Sequence, residues 1–355
     1  MKNPLNDLVF LIPSLDPDDK LPTYVKELIK AGVKHVLIVD DGSKQENQHF
    51  FEEIANKKEV VILKHVVNQG KGRALKTGFN YILDQMPKIK GVITADSDGQ
   101  HAVDDTIRCG TRLLETNDVV FGTRDFNEKN VPFKSRNGNK ITTFIFKLMY
   151  GVTVHDTQTG LRALPIDFVR ECLELTGERY DYEIGMLIKI VGDERNIIEE
   201  PIKTIYYNGN SGTHFKAFRD SFRIYKVMLS SFLLFALSSM FSFVVELVVY
   251  SFSIRNIFDS LDFAFGIFCA TVVGRVISSI INYTVNKNTV FASSNKNSMR
   301  RYYILAACQM LASWLLITIA FDIIGLDTTF LKVFVDFGLF LISYRIQKKW
   351  VFKEQ

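Results

Sequence analysis

Gly91-Val92-Ile93-Thr94-Ala95-Asp96-Ser97-Asp98-Gly99-Gln100-His101 is the stretch that decides how this chain folds and where its chemistry lies. The apolar run 92–95 predicts a buried strand, and it delivers two carboxylates, one residue apart, into a glycine turn. Two anionic oxygen ligands at the carboxyl end of a strand suit a hard divalent cation that also bridges phosphates. A bare Asp-x-Asp is more often a solvated turn. A calcium loop is a second alternative, but it needs a third Asp or Asn before its glycine and a flanking pair of helices. The neighbouring segments decide between these readings.

Four further apolar runs, 8–12, 36–39, 60–63 and 119–121, read as strands. Helical candidates near 20–31, 45–57, 71–85 and 103–115 separate them. Strand–helix alternation predicts an α/β domain with a mainly parallel, Rossmann-like sheet. Ligands of such sheets collect beyond the carboxyl ends of the strands. Polar residues gather there: Pro13 and Ser14 after the first strand, Asp40-Asp41-Gly42-Ser43 after the second, and Asp96-Ser97-Asp98 after the fourth. Gly122-Thr123-Arg124 follows the fifth. Several such turns at one edge describe a nucleotide cleft.

The chain has 355 residues, more than one typical domain, and its composition changes near residue 230. Residues 1–230 hold 32 Lys+Arg and 32 Asp+Glu, whereas the remaining 125 hold 11 and 7. The C-terminal part contains four apolar stretches, 232–254, 261–283, 303–324 and 330–350, each near the ~20 residues needed to cross a bilayer. The reading is therefore a catalytic domain over 1–215, an interfacial helix over 216–230 and an all-α four-span membrane domain over 231–355. The interfacial helix is read from Phe218, Phe222, Tyr225 and Leu229 at helical spacing, flanked by Arg219, Arg223 and Lys226. The preceding glycine-rich segment 206–215 is either a lid or a plain linker. Lys287, Lys296, Arg300 and Arg301 lie between the second and third stretches, and Arg345, Lys348, Lys349 and Lys353 lie at the C-terminal end. By the positive-inside rule the catalytic domain and the C-terminus face the cytoplasm of a multi-pass protein of the cell membrane. The N-terminal MKNPLNDL has no signal-peptide core, and the four scattered cysteines show no metal spacing.

The soluble part resembles the inverting glycosyltransferases of family 2, which have the GT-A fold. The resemblance rests on Ile12-Pro13-Ser14-Leu15-Asp16-Pro17, Val39-Asp40-Asp41-Gly42-Ser43, Asn68-Gln69-Gly70-Lys71-Gly72-Arg73-Ala74-Leu75 and Ala95-Asp96-Ser97-Asp98-Gly99-Gln100-His101. Phe121-Gly122-Thr123-Arg124 and His155-Asp156-Thr157-Gln158-Thr159-Gly160-Leu161-Arg162-Ala163 point to the dolichol-phosphate mannose synthase and GtrB-like branch. The C-terminal part is similar to the four-span GtrA-like family, down to Gln347-Lys348-Lys349-Trp350-Val351-Phe352. Two departures stand out: Leu15 replaces a common Tyr, and Arg73 replaces a common Ala.

The resemblance implies a role for each matching residue. Pro13, Ser14 and Asp16 would border the nucleotide, and Asp40 and Asp41 would accept hydrogen bonds from its base or ribose. Asp41 could equally cap a helix beginning near Ser43. Lys71, at a glycine-flanked helix start, would meet the diphosphate. Asp98, helped by Asp96 and Gln100, would ligate Mg2+ or Mn2+. Arg124 and Arg136, and less strongly Lys140, would hold the phosphate of a polyprenyl acceptor, because a guanidinium binds phosphate bidentately. Asp156 would act as base or steer the acceptor. Asp98, Asp156, Arg124 and Arg136 form the expected catalytic set, while His101 and His155 are read as structural hydrogen bonders.

Within the apolar stretches, Glu246, Arg275, Asp322, Lys332 and Asp336 are costly unless paired or wet. Arg275 is expected to meet Glu246, and Lys332 to meet Asp336 four residues on. Such pairs fix helix packing or line a polar route. The expected partners are a nucleotide sugar, polyprenyl phosphate and the membrane, with no nucleic acid and with a homo-oligomer possible. The expected activity is metal-dependent transfer of one sugar, with UDP-glucose as donor. A processive polysaccharide synthase is disfavoured by the lack of a Gln-x-x-Arg-Trp element. A lipid-linked sugar flippase or scaffold with a weakly active soluble domain is the rival from another class.

Overall fold

The computed structural model describes residues 4–128, 131–205, 217–326 and 328–353. The chain divides into two compact units, Met1–Met228 and Leu229–Gln355. The first is built on a seven-stranded sheet: β1 Leu8–Ser14, β2 Val36–Asp40, β3 Val60–Lys64, β4 Gly91–Thr94, β5 Val119–Arg124, β6 Arg162–Pro165 and β7 Ile197–Ile202. The order across the sheet is β3-β2-β1-β4-β6-β5-β7. Every residue of β1 and β2 is buried, the unbroken apolar run that a strand covered on both faces requires.

All pairings are parallel except those of β6, which runs antiparallel to β4 and β5. Arg162 sits opposite Thr94 on one side and Phe121 on the other. The loop entering β6 therefore threads between the carboxyl ends of β4 and β5. Helices α1 Lys20–Lys30, α2 Gln48–Ala55, α3 Lys71–Gln85 and α4 Val103–Thr116 form the predicted crossovers. The helix expected over 45–57 is shorter, preceded by a 3-10 turn at Gln45–Asn47. α5 Phe133–Tyr150, α6 Ile166–Cys172 and α7 Tyr180–Gly192 complete this unit's helices up to residue 205.

α8 Ala217–Phe252 is one continuous helix where the sequence reading separates an interfacial helix from a first span. It contains neither Gly nor Pro, so nothing in its sequence interrupts the hydrogen-bond ladder. Its first turns dock on the soluble unit: Ile224 and Met228 are buried, and the Tyr150 hydroxyl donates to the Met228 carbonyl at 3.0 Å. Phe218 and Phe222 stay exposed, as do Phe133, Ile141 and Phe144 of α5.

The second unit adds α9 Phe263–Val285, α10 Ser298–Ile324 and α11 Thr328–Ile346. Among the described residues, three helical segments are long and apolar enough to cross a membrane: Phe218–Ile257, Phe265–Val290 and Ser298–Ile324. α11, at 19 residues, carries Lys332, Asp336 and Arg345 and falls outside that set. Arg275 meets Glu246 at 3.1 Å. Asp336 accepts from Ser313, whereas the expected Lys332 contact lies outside the described side chains, as does the whole 206–215 segment.

Candidate active site

The carboxyl ends of the parallel strands gather the polar turns at one edge. After β1, Ser14 is buried, with its hydroxyl unpartnered among the described residues. Asp16 holds a left-handed φ of 45°, and its carboxylate accepts from the Lys44 amide at 2.8 Å and Asn47 at 3.2 Å. Its own amide donates to Ser43 Oγ at 2.8 Å. Asp40, nearly fully buried, accepts from the Ser43 amide at 2.8 Å and Gln48 Nε2 at 3.0 Å. Both residues thus spend carboxylate oxygens on shaping the turn.

Asp41 does not cap a nearby helix. It reaches across to the glycine turn before α3, accepting from His65 Nδ1 at 2.7 Å and the amides of Gln69 and Gly70 at 2.9 and 2.7 Å. Gly70 itself has φ 107°, and a Cβ there would meet the Glu178 carbonyl at 2.3 Å. That turn aims Lys71 inward. Its ammonium lies 2.7 Å from Asp96 Oδ1 and 2.9 Å from Glu183 Oε1. Burial works against that charge, but Asp96 and Glu183 outweigh it and raise the lysine above its ordinary value. Burial opposes Asp96 in the same way, yet Lys71 and His101 hold its carboxyl well below the usual aspartate range. Arg73, one of the sequence departures, pairs with Glu178 at 2.7 Å.

Asp98 behaves differently from its neighbour. Burial, with the Asp96 carboxylate beside it, pushes its carboxyl up. Its carboxylate accepts from the Gln100 amide at 3.1 Å. The Asp98 carboxylate, the adjacent Gln100 and the nearby Asp96 are the donor set that a magnesium-like ion accepts when substrate phosphates and water supply the rest. Among the described residues no three His, Cys, Asp or Glu side chains converge as a complete cage. The residues present therefore fit a cation shared with a bound diphosphate. His101 is buried 3.5 Å from Asp96, and neither ring nitrogen has a hydrogen-bond partner among the described residues.

The β6 entry loop closes against this cluster. Thr94 Oγ1 donates to the Gly160 carbonyl at 2.8 Å, and a Cβ on Gly160 would lie 2.2 Å from Asp96 Oδ2. Gly160→Ala is therefore expected to push Asp96 off Lys71 and lower kcat/KM for the donor by about tenfold, the equivalent of the ~1–3 kcal/mol cost of overpacking. Steady-state kinetics at varied donor check this, and an unchanged value overturns it.

One strand further, Arg124 grips Asp156 with both arms, Nε to Oδ2 at 2.7 Å and Nη2 to Oδ1 at 3.1 Å. Asp156 is fully buried and also accepts from the Gln158 amide at 3.2 Å. A carboxylate so engaged orients a guanidinium; it is badly placed to take a proton. Arg136 Nη2 donates to the Glu128 carbonyl at 2.8 Å, while its buried Nε lacks a partner among the described residues. Lys140 is exposed. Asn139 of α5 donates to the His155 carbonyl at 2.6 Å, tying α5 to the same loop. His155 itself is exposed and paired with Glu199 at 2.6 Å.

Three contributors escaped sequence reasoning. Glu183 completes the Lys71 contact from α7, and no motif marks it. His65 bridges Asp41 and Thr77. Arg162 is wholly buried, donating to the Thr159 and Glu183 carbonyls at 3.0 and 2.7 Å with its guanidinium 4.7 Å from the Phe121 ring. Burial lowers its pKa from the ordinary arginine value. Its position inside the 155–163 motif was the available signal.

A mainly parallel sheet with an antiparallel insertion, an acidic pair beside a lysine, and membrane-length helices define a membrane-attached, nucleotide-sugar type of α/β transferase fold. The comparisons are specific. Residues 10–173 match Glycosyl transferase family 2, and residues 234–352 match the GtrA/DPMS transmembrane domain. An uncharacterized protein of Methanocaldococcus jannaschii is 35% identical over 59% of this chain and 86% of its own. The UDP-N-acetylglucosamine–dolichyl-phosphate N-acetylglucosaminyltransferase of Methanococcus voltae is 30% identical over 58% of this chain and 90% of its own. The undecaprenyl-phosphate 4-deoxy-4-formamido-L-arabinose transferase of Proteus mirabilis is 28% identical over 48% and 53% respectively. The chain belongs to glycosyl transferase family 2; it is a glycosyltransferase that carries a GtrA/DPMS membrane domain.

Proposed function

We propose that the enzyme transfers a single sugar from a uridine diphosphate donor, glucose in our reading, to polyprenyl phosphate at the cytoplasmic membrane face, feeding cell-envelope glycan modification. The observation that carries this is two separate anion-directed groups at one sheet edge. Lys71 meets Asp96 next to Asp98 at the end of β4, while Arg124 is the last residue of β5 and Arg136 follows in the first turn of α5. Relatives that act on dolichyl and undecaprenyl phosphate support the acceptor class.

The Lys71 ammonium, at the N-terminus of α3, attracts the donor diphosphate. Asp98, with Asp96 and Gln100, would hold Mg2+ or Mn2+, which when bound offsets charge on the departing diphosphate. Arg136 offers its unpaired Nε to the acceptor phosphate, and Asp156 keeps the Arg124 fork in a fixed orientation. A phosphate oxygen attacks the anomeric carbon as the bond to the diphosphate breaks on the opposite face, so configuration inverts. A phosphate monoester is largely ionised near neutral pH, so positioning and electrostatics carry the step without a dedicated base. The exposed Phe133, Phe144, Phe218 and Phe222 give the soluble unit an apolar surface for the interface where the lipid resides.

Incubating purified protein with UDP-glucose, UDP-N-acetylglucosamine and other nucleotide sugars, each with undecaprenyl phosphate, tests the reading. A lipid product heavier by one sugar is expected. Polymer, or nucleotide-sugar hydrolysis without lipid product, overturns it. Arg136→Ala is expected to raise KM for polyprenyl phosphate about tenfold, the loss of one charged hydrogen bond, and to leave KM for the donor within about twofold. An equal rise for both substrates removes Arg136 from the acceptor side.

A further inference from the structure

Glu183 belongs to none of the sequence motifs, yet several contacts fix its place. It is buried in the first turn of α7, where its carboxylate takes the Lys71 ammonium at 2.9 Å. Its backbone carbonyl accepts from Nη1 of the wholly buried Arg162 at 2.7 Å, which pins that turn to β6. Gly72, next to the lysine, lets α7 come close enough for the contact. A Cβ there would lie 2.5 Å from Tyr182 Cβ and 2.9 Å from the Arg179 carbonyl oxygen. Tyr180, one turn before Glu183, adds its ring 5.8 Å from the ammonium.

Neutralising a buried lysine takes one carboxylate, and Lys71 already has Asp96 at 2.7 Å. Close packing accounts for α7 lying on α3, and a neutral side chain at 183 would pack as well. A second buried carboxylate on the same ammonium is a cost unless the first one has another use. The function proposed above gives it one, because Asp96 turns to a divalent cation and Lys71 to the donor diphosphate. Held together, each opposes the other's task. The ammonium repels a cation from Asp96, and the carboxylate repels a phosphate from Lys71.

We propose that Glu183 is the positioning residue of Lys71 and makes the lysine an exchangeable counter-ion of Asp96. When a divalent cation takes Asp96, Glu183 keeps the ammonium at the head of α3, and the donor diphosphate becomes its second partner. Charge balances at both ends of the exchange. The cation replaces the ammonium at Asp96, and the diphosphate replaces Asp96 at the ammonium, so cation and diphosphate bind better as a pair than singly. Without Glu183, the lysine's long flexible stem has no anchor other than the carboxylate that the cation needs. This inference rests on the metal and donor reading proposed above; the double hold on Lys71 is a feature of the structure.

Mn2+ binding to the full-length protein in detergent micelles, read from the EPR signal of the free ion with and without UDP, tests the exchange. Glu183→Gln leaves Asp96 as the one carboxylate on the lysine. Mn2+ alone is then expected to bind about tenfold more weakly than to wild type, the low end of what a charge ~4–6 Å away does to a carboxylate's equilibria. Removing the lysine as well, in Lys71→Gln combined with Glu183→Gln, is expected to restore Mn2+ affinity to the wild-type level or above and to shrink the gain that UDP gives. A Glu183 that merely lent charge or shape would leave this double variant no tighter than Glu183→Gln. Lys71→Gln alone, whose amide can still donate to both carboxylates, should bind Mn2+ about tenfold more tightly than wild type, and it serves if Glu183→Gln does not fold. Wild-type affinity in Glu183→Gln, no recovery in the double variant, or no tightening in Lys71→Gln overturns the proposal and leaves the metal reading standing. Wild-type protein that takes up no Mn2+, with or without UDP, overturns the metal reading and this inference with it.

Discussion

Asp98→Asn is expected to abolish most sugar transfer, by on the order of a hundredfold or more, the usual cost of losing electrostatic help at a developing charge. The folded protein should lose no stability, and metal-free protein should gain some. Asn keeps an oxygen for the Gln100 amide, and it removes a carboxylate that burial and Asp96 disfavour in its charged form. The sign follows from the raised carboxyl. Above its folded pKa the group is ionised in both folded and unfolded chains, and folding bears the full cost of that charge. As pH falls through the folded pKa, and then through the ordinary aspartate value, the cost disappears. The Tm difference between variant and wild type, measured in EDTA, should therefore be positive at neutral pH and shrink in acid. Full activity of Asp98→Asn, or of wild-type enzyme in excess EDTA, would overturn the metal assignment. A variant that loses activity and also melts early would mean that Asp98 is structural.

Arg124→Ala should be among the most destabilising changes in the soluble unit, at about 3–5 kcal/mol. It leaves Asp156 buried without its bidentate partner. Asp156→Ala should cost less, because the Arg124 side chain retains some exposure and can reach water. The double variant should then be more stable than Arg124→Ala alone, since it removes the stranded carboxylate as well. Melting of the soluble unit, followed for all three variants, reads this cycle. Additive losses would show that the two side chains do not depend on each other. The measurement also separates roles: if Arg124 served only as a phosphate ligand, its loss would change kinetics and spare Tm.

Local physics made much of this legible in the sequence. Five of the six parallel strands are short apolar runs ended by polar turns, and the crossover helices between them follow from alternation. The cleft edge followed too, because carboxyl ends of parallel strands must lie on one side, as did the apolar stretches of the membrane unit. Two strands were not legible. β6 is four residues long with a charged Arg162 and a terminal Pro165, and only its place between β4 and β5 makes it a strand. β7 carries Glu199, Glu200 and Pro201, tolerable because it is an edge strand whose unpaired side need not donate. Side-chain partnerships were equally hidden. Asp41 meets the turn at Gly70, Lys71 meets Glu183, and Arg124 meets Asp156, all across separations that no local period encodes. The sequence by itself determined the class of fold, the edge that carries the chemistry and the residues in reach of it. Tertiary structure alone decided which charges are spent on one another and which polar atoms, like the Arg136 Nε, have no partner among the described residues, because burial and long-range pairing exist only once the chain has closed on itself.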